Sequence, residues 1–253
     1  MQTKPIAVIT GGSRGLGANT VLALAKRGID SVLTWNSNEQ AAQAVCAEAA
    51  ALGATVVALP LDTGDTRQFM PFRQRLQATL EQHWARSTFD YLVNNAGFGH
   101  NAPFAAQTEE AFDELYRVHL KGPYFLAQTL LPLISDGGSI VNLSSGLARF
   151  SLPGYSAYAA MKGAMEVISR YQAKELGQRG IRVNTLAPGA IATDFGGGAV
   201  RDNPQVNTMV ASATALGRAG IADDIGPAIA ALLSDDCHWV NGQRIEVSGG
   251  MFL

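Results

Sequence analysis

Cysteine is nearly missing from this chain: Cys46 and Cys237 are the only two in 253 residues, far apart and without metal-like spacing. A disulfide framework is thereby excluded and no metal site is suggested, so a reducing, cytoplasmic setting is expected. Long runs of one charge are missing too, and the formal net charge is only −2. Without them there is no electrostatic reason to expect nucleic acid or an anionic membrane as partner. No apolar run reaches the roughly 20 residues of a membrane helix. The opening MQTKPIAVIT passes from one lysine into a short apolar run and a glycine turn, without the apolar core and cleavage site of a signal peptide, so none is expected.

Apolar residues, in contrast, are plentiful: 47% of the chain is hydrophobic against 16% charged, enough for a large core in one domain. Short apolar runs alternate with longer stretches of helical period. The runs are Ile6 to Thr10, Ser31 to Trp35, Thr55 to Pro60, Tyr91 to Asn94, Ser139 to Leu143, Ile181 to Leu186 and Arg244 to Val247. Read as seven strands joined by crossover helices, they predict an α/β fold with a doubly wound, seven-stranded parallel sheet and helices on both faces. Residues from about Ile191 to Ala215, with glycines at 196–198, break the alternation. That segment reads as a mobile flap or as a plain surface insertion.

Directly after the first run stands TGGSRGLG, residues 10–17, with Gly11, Gly15 and Gly17 in the order GxxxGxG. Glycine permits positive φ and close approach of backbone to a ligand. A helix starting there points free N–H groups at the turn, which suits a pyrophosphate. A lone glycine pattern often marks just a tight turn; strand before and helix after, in the first βα unit, single this one out. Ser13, Arg14 and Leu16 belong to the same turn, and Asn36 and Ser37 follow the second strand in LTWNSN. Sheets of this kind that bind NAD commonly end that strand on a carboxylate, which takes the ribose hydroxyls. No Asp or Glu occurs from Leu33 to Asn38, so a 2′-phosphate meets no repulsion there and Arg14 can pair with it. The expected cofactor is NADP(H), with NAD(H) as the alternative; Arg14 as an ordinary solvated charge is the competing reading.

Farther along, YSAYAAMKGAME sets Tyr158 and Lys162 four residues apart in a stretch of helical period. Side chains at that spacing share a helix face, their Cβ atoms about 6 Å apart. A phenol titrates near ~10, and an ammonium at roughly 6 Å with an effective dielectric of about 20 favours the phenolate by about 2.8 kcal/mol, or about two pKa units. The expectation is a tyrosine brought toward the working range of a general acid–base group, although YxxxK alone also describes an ordinary helix pair. On the same helix Met161, Ala164, Met165, Ile168 and Tyr171 follow the spacing of a buried stripe and are expected in the core.

TGGSRGLG, NNAG at residues 94–97, a serine thirteen residues ahead of Tyr158, and YxxxK stand in this order along essentially the whole chain. Together they resemble the short-chain dehydrogenase/reductase family, with a length and motif set similar to its 3-oxoacyl reductase-like members. The resemblance implies a single-domain Rossmann fold over residues 1–253 and reversible, NADP(H)-dependent reduction of a ketone or aldehyde to an alcohol. It implies that Tyr158 exchanges a proton with the substrate oxygen and that Ser145 hydrogen-bonds that oxygen, the adjacent Ser144 being structural. Lys162 is implied to hold the nicotinamide ribose and to lower the tyrosine pKa. Asp62 resembles the adenine-binding residue, and Asn94, Ala96 and Gly97 the motif lining the cofactor beside the fourth strand. Pro188, Gly189, Ile191 and Thr193 resemble the segment that touches the nicotinamide. Helices corresponding to Glu109–Leu131 and Tyr158–Gly177 are those that members commonly pair into dimers and tetramers, so a homotetramer or homodimer is implied.

Two departures stand out. His119, in RVHLKGPYF, occupies a place where the family usually has an asparagine that helps hold a proton-relay water. Imidazole can sustain such a relay, with a charge that changes near pH ~6.5, or simply fill the space and satisfy one backbone group. SGG at 248–250 lacks the aspartate that often precedes the two glycines, and no function is attached to that difference. Tyr155, seven residues before Lys162, matches the spacing of enoyl reductases, which reduce a carbon–carbon double bond. A non-catalytic dinucleotide sensor is the other alternative, although such proteins typically lose the Tyr/Lys pair or the serine. No lysine or arginine occurs from Gly122 to Gly138, which weighs against docking an acidic carrier protein, while Lys174, Arg179 and Arg182 keep it open. The substrate expected is a small uncharged or aromatic carbonyl compound.

Overall fold

A computed structural model describes residues 4–253. The apolar runs form β1 (Ile6–Ile9), β2 (Asp30–Trp35), β3 (Val56–Pro60), β4 (Phe89–Asn94), β5 (Ile134–Leu143), β6 (Arg182–Pro188) and β7 (Arg244–Val247). All pair in parallel, in the order β3-β2-β1-β4-β5-β6-β7. Three strands begin earlier than their sequence suggests, β2 by one residue and β4 and β5 by more. A register shift pairs Phe89 with Ile134 and Tyr91 with Ser139, so the polar SDGG interruption in β5 is a bulge within the strand.

The helices between them are α1 (Gly15–Ala25), α2 (Glu39–Ala51), α3 (Phe69–Trp84), α4 (Glu109–Tyr116), α5 (Gly122–Leu130), α6 (Ser156–Leu176), α7 (Ala199–Asp202), α8 (Pro204–Ser212) and α9 (Gly226–Leu233). Side chains alternate across a strand, so β1 feeds both layers. Ala7 and Ile9 pack with Val21 and Leu24 of α1 and with Ile229 and Leu233 of α9. Ile6 and Val8 pack with Phe72 and Leu76 of α3 and with Leu126 and Leu130 of α5. Covering both faces is what lets these strands be apolar throughout instead of alternating. Each fully buried side chain of the size of Phe72 contributes about 1.5–3 kcal/mol. Successive strands run outward from β1 on one side and from β4 on the other, and at that reversal the carboxyl ends leave a crevice.

The segment from 191 to 215 is largely helical. Phe195–Gly198 form one turn in which Gly196 and Gly197 take φ of 61° and 71°, and α7 and α8 follow. Asn203 caps α8 by accepting the N–H groups of Gln205 and Val206, and Pro204 supplies the preset φ of a first helical residue. Among the described residues no helix is long and apolar enough to cross a membrane.

Helix α6 is anchored by polar groups as well as apolar ones. Met161 and Met165 are buried as expected, but Tyr171 is exposed. The buried stripe advances by four through Met161, Met165, Ser169 and Ala173, and Tyr171 lies round the helix from it. Asn142 of β5, wholly buried, donates to Ser169 Oγ at 2.9 Å and Gln172 Oε1 at 3.1 Å, and accepts from Asn94 Nδ2 at 2.8 Å. Asn142→Ala should therefore cost about 2–3 kcal/mol in urea unfolding, because it leaves the buried Asn94 amide unpaired. A loss within measurement error would show that the Asn142 network does not hold α6.

Candidate active site

The β1–α1 turn is tied to the loop after β4. Thr10 Oγ1 accepts the N–H groups of Asn95 at 2.9 Å and Ala96 at 3.0 Å, while Asn95 Nδ2 donates to the carbonyls of Thr10 at 2.8 Å and Gly11 at 3.1 Å. Gly11 turns with φ of 64°, and a Cβ there would lie 3.0 Å from Ala96 Cα, so only glycine fits. No side chain caps α1 and its first turn carries no acid, so its leading N–H groups face outward for an anion.

One cavity of about 1180 Å³ runs from this turn to the far end of the sheet crevice. Ser13, Arg14, Gly15, Leu16, Asn36 and Ser37 line it, together with Gly11 and Asp62. Ala96, Gly97, Pro188, Gly189, Ile191 and Thr193 line the middle, and His119, Ser145, Tyr158 and Lys162 the deep end. Its size exceeds the roughly 300–1,000 Å³ of ordinary ligand pockets, which leaves room for an extended ligand and a second molecule. The positions fit the dinucleotide implied by the glycine turn: cradle, acid-free second strand and a long cleft.

Two residues expected to contact the cofactor are not on this wall. Asn94 turns into the sheet toward Asn142. Gly17 lies against the glycine turn itself, where any Cβ would overlap the Gly11 carbonyl oxygen; its role is close packing of α1. Asn95, which the motif reading passed over, holds the start of the turn at Thr10 and Gly11.

At the deep end Lys162 Nζ donates to the Leu143 carbonyl at 2.8 Å and lies 5.6 Å from the centre of the Tyr158 ring. Lys162 is 5% exposed and Tyr158 7%. The expected acidification of the tyrosine is overturned: burial pushes its pKa above the ordinary phenol value, and the Ser145 hydroxyl only partly opposes this. Burial also lowers Lys162 to about 8. Removing the pair from water disfavours both charged forms, a contribution that a distance-and-dielectric argument leaves out. Ser145 Oγ accepts the Leu147 N–H at 3.2 Å, which leaves its own hydrogen for another oxygen. Ser144 donates to Glu166 Oε1 at 2.6 Å, in keeping with a structural role.

His119 sits in a π-helical turn, Arg117–Lys121, between α4 and α5. It is 1% exposed, and its Nε2 accepts the Phe98 N–H at 3.2 Å. Burial and then the Lys162 charge hold its pKa well below the ordinary imidazole value, so it stays neutral near pH 7 and its charge does not change there. Its ring stacks edge-on against Tyr158 at 5.2 Å, and a Cβ on Gly97 would sit 2.5 Å from its Cε1. Polar side chains such as His100, Glu114, Arg117 and Asp194 also line the cavity, and with them an aromatic set: Phe98 beside His119, Phe195 edge-on to Tyr158 at 6.0 Å, and Phe150 against Phe252 at 4.6 Å. These residues come from four separate loops and carry no motif. Of the basic residues considered for a carrier protein, Arg182 is committed to the carbonyls of Leu232 and Cys237, and Arg179 to Asp136 and the Leu131 carbonyl.

Residues 11–252 match a family model described as enoyl-(acyl carrier protein) reductase. The hydroxynaphthalene reductase-like protein Arp2 of Metarhizium brunneum is 34% identical over 256 residues, covering 97% of this chain and 94% of that protein. Among solved structures, the promiscuous reductase LugOII, which catalyses keto-reduction at C1 during lugdunomycin biosynthesis, superposes with a TM-score of 0.94 at 34% identity over all of both chains. The angucycline C-6 ketoreductase LanV with bound NADP gives 0.93 at 30% identity, over 98% of this chain and 95% of that one.

Burial of Lys162 has a consequence in pH. Its pKa falls from 10.5 in the unfolded chain to about 8 when folded. Below the folded value both states are protonated and the penalty for the buried ammonium is fully present. Between the two values the unfolded chain binds more protons, so stability rises with pH. Without dinucleotide, the wild type should gain up to about 3 kcal/mol relative to Lys162→Met as pH rises through that window, read from urea midpoints. Parallel pH curves for the two proteins would contradict it.

Proposed function

The chain belongs to the short-chain dehydrogenase/reductase family, and within it we propose an NADP(H)-dependent ketoreductase acting on a flat aromatic ketone. The carrying observation is a single cavity that joins the glycine turn to Ser145, Tyr158 and Lys162 and continues into a wall of Phe98, Phe150, Phe195 and Phe252. Flat rings pack well against such surfaces, edge-on or offset. The similarity to a hydroxynaphthalene reductase-like protein, to a ketoreductase of lugdunomycin biosynthesis and to an angucycline C-6 ketoreductase supports a fused-ring substrate.

The dinucleotide, when bound, supplies the hydride. Tyr158, whose pKa is raised by burial, keeps its proton at neutral pH and so is in the form that donates to a carbonyl oxygen gaining negative charge. Ser145 presents a second hydroxyl to the same oxygen. Two fixed donors stabilise that oxygen more in the transition state than in the ground state. Lys162, with a pKa of about 8, can return a proton toward Tyr158 near physiological pH. His119 contributes by packing against the tyrosine ring and holding the Phe98 N–H, in place of a titrating relay.

Arg14, Asn36 and Ser37, with no acid from Leu33 to Asn38, support NADP(H) over NAD(H), as does the NADP bound to LanV. In this reading α7 and α8 form the mobile cover of the substrate end. Phe112, Tyr116, Tyr124, Phe125 and Tyr171 stand exposed on α4, α5 and α6, which supports assembly into a homotetramer or homodimer. The two free cysteines suit a reducing cytoplasm. Tyr155 on the cavity wall and the description of the matching family model favour one second reading, an enoyl reductase.

NADPH oxidation with a bicyclic aryl ketone and with an enoyl thioester, side by side, separates the two readings; turnover of the thioester alone would remove the ketoreductase. With the ketone, Tyr158→Phe should lower kcat by roughly 10²–10⁴-fold while NADPH still binds, and retained turnover would place the proton donor elsewhere. Trp35→Asp should move the preference toward NADH, because a carboxylate there repels a 2′-phosphate and accepts ribose hydroxyls. Equal kcat/KM for NADH and NADPH in the wild type would remove the cofactor assignment.

A further inference from the structure

Arg244, on β7, lies off the cavity wall and belongs to none of the motifs, yet it reaches three acceptors near the reacting groups. Its Nε donates to Glu166 Oε1 at 2.7 Å, Nη1 to Glu246 Oε2 at 2.9 Å, and Nη2 to the backbone carbonyl of Ser145 at 3.3 Å. Glu166 follows Tyr158 by two helical turns and Lys162 by one, so it is a fixed point of α6. The Glu166 oxygen that takes Arg244 also takes the Ser144 hydroxyl at 2.6 Å. Glu246 is held in turn by Arg149, which donates to the Met251 carbonyl at 2.9 Å, and Met251 and Phe252 wall the substrate end.

Ser145 needs such a support. Pairing of β5 with β6 ends at Leu143, and the last strand-like bond is Ser144 N–H to the Leu186 carbonyl at 2.8 Å. Beyond it, Ser145 caps a single 3-10 turn, Gly146–Ala148, and the chain then runs as loop until α6 begins at Ser156. Tyr158 sits on a different element, so the two hydroxyls share one target only if loop and helix keep their mutual orientation. Arg244 and Glu166 join them directly. Their side chains are 22% and 15% exposed, where charge-assisted hydrogen bonds hold geometry better than on an open surface. A planar guanidinium carries its donors on three separate nitrogens and so spans three spaced acceptors at once, whereas the three donors of an ammonium diverge from a single nitrogen.

We propose that Arg244 is a positioning residue for the reduction: it fixes the Ser145 peptide against α6 so that the Ser145 hydroxyl and the Tyr158 phenol converge on one substrate oxygen. This rests on the ketoreductase assignment of Ser145 and Tyr158.

The test is a double-mutant cycle on the aryl ketone with NADPH, using Arg244→Met, Ser145→Ala and the double variant, with NADPH affinity and Tm measured on each. Arg244→Met should lower kcat by roughly 10–100-fold, with KM for ketone and the Kd of NADPH changed by less than about threefold. Arg244→Lys should recover part of the loss, since it can still reach Glu166. In the Ser145→Ala background Arg244→Met should change kcat by less than about twofold, because the group it orients is gone. An equal loss in both backgrounds, or an unchanged kcat in Arg244→Met, overturns the proposal. If Arg244→Met does not fold, Arg244→Lys with and without Ser145→Ala closes the same cycle, with the same two outcomes. Full kcat in Ser145→Ala alone would instead refute the ketoreductase assignment, and is read separately.

Discussion

A lysine ammonium buried to 5% exposure, held by one hydrogen bond to the carbonyl at the end of β5, is the constraint on which the site depends. Burying such a charge is unfavourable, and the Leu143 carbonyl is the acceptor that makes it tolerable. The contact joins α6 to the sheet where Ser144 and Ser145 leave their strand. Phenol, serine hydroxyl and ammonium are therefore gathered at one point by a single packing decision. The Asn142 network farther along α6 and the Arg244–Glu166 pair keep the helix from rotating or sliding about that point.

Burial also sets the protonation states, and in the direction opposite to the one charge alone would give. An ammonium a few ångströms from a phenol favours phenolate, but the solvent exclusion that brings them together penalises phenolate and ammonium alike. The resting pair is a protonated tyrosine beside a lysine titrating at about 8. For the proposed reduction this is serviceable, because the donor would begin with its proton and the lysine titrates within the physiological range. His119 follows the same rule: enclosed by Gly97, Phe98 and Tyr158, it stays neutral and packs edge-on against the Tyr158 ring.

Function divides along the cavity. The glycine turn, the β4 loop and the acid-free end of β2 are backbone features suited to a ligand that many proteins share. The opposite end is built from side chains of unrelated segments, Phe98 after β4, Phe150 before α6, Phe195 ahead of α7 and Phe252 at the C-terminus, and the proposed selectivity for flat rings rests on them. The three-glycine turn next to Phe195 takes left-handed conformations that other residues adopt only with strain, so the chain can bend there and lead directly into α7.

Sheet, layer order, glycine turn and the Tyr158/Lys162 pair were readable from the chain alone, because each rests on local periodicity or on residues a few positions apart. The helices of the segment after Ile191 were not read, because its glycines and weak periodicity gave no helical signal there. Asn94 facing inward, Gly17 serving packing, Tyr171 facing solvent and Arg244 bridging β7 to α6 were not readable. Each depends on which surfaces meet once distant segments are folded together. The same holds for the pKa values of Tyr158 and Lys162: spacing along a helix places two side chains on one face, but only the closing of the sheet and loops over that face determines how much water is left beside them.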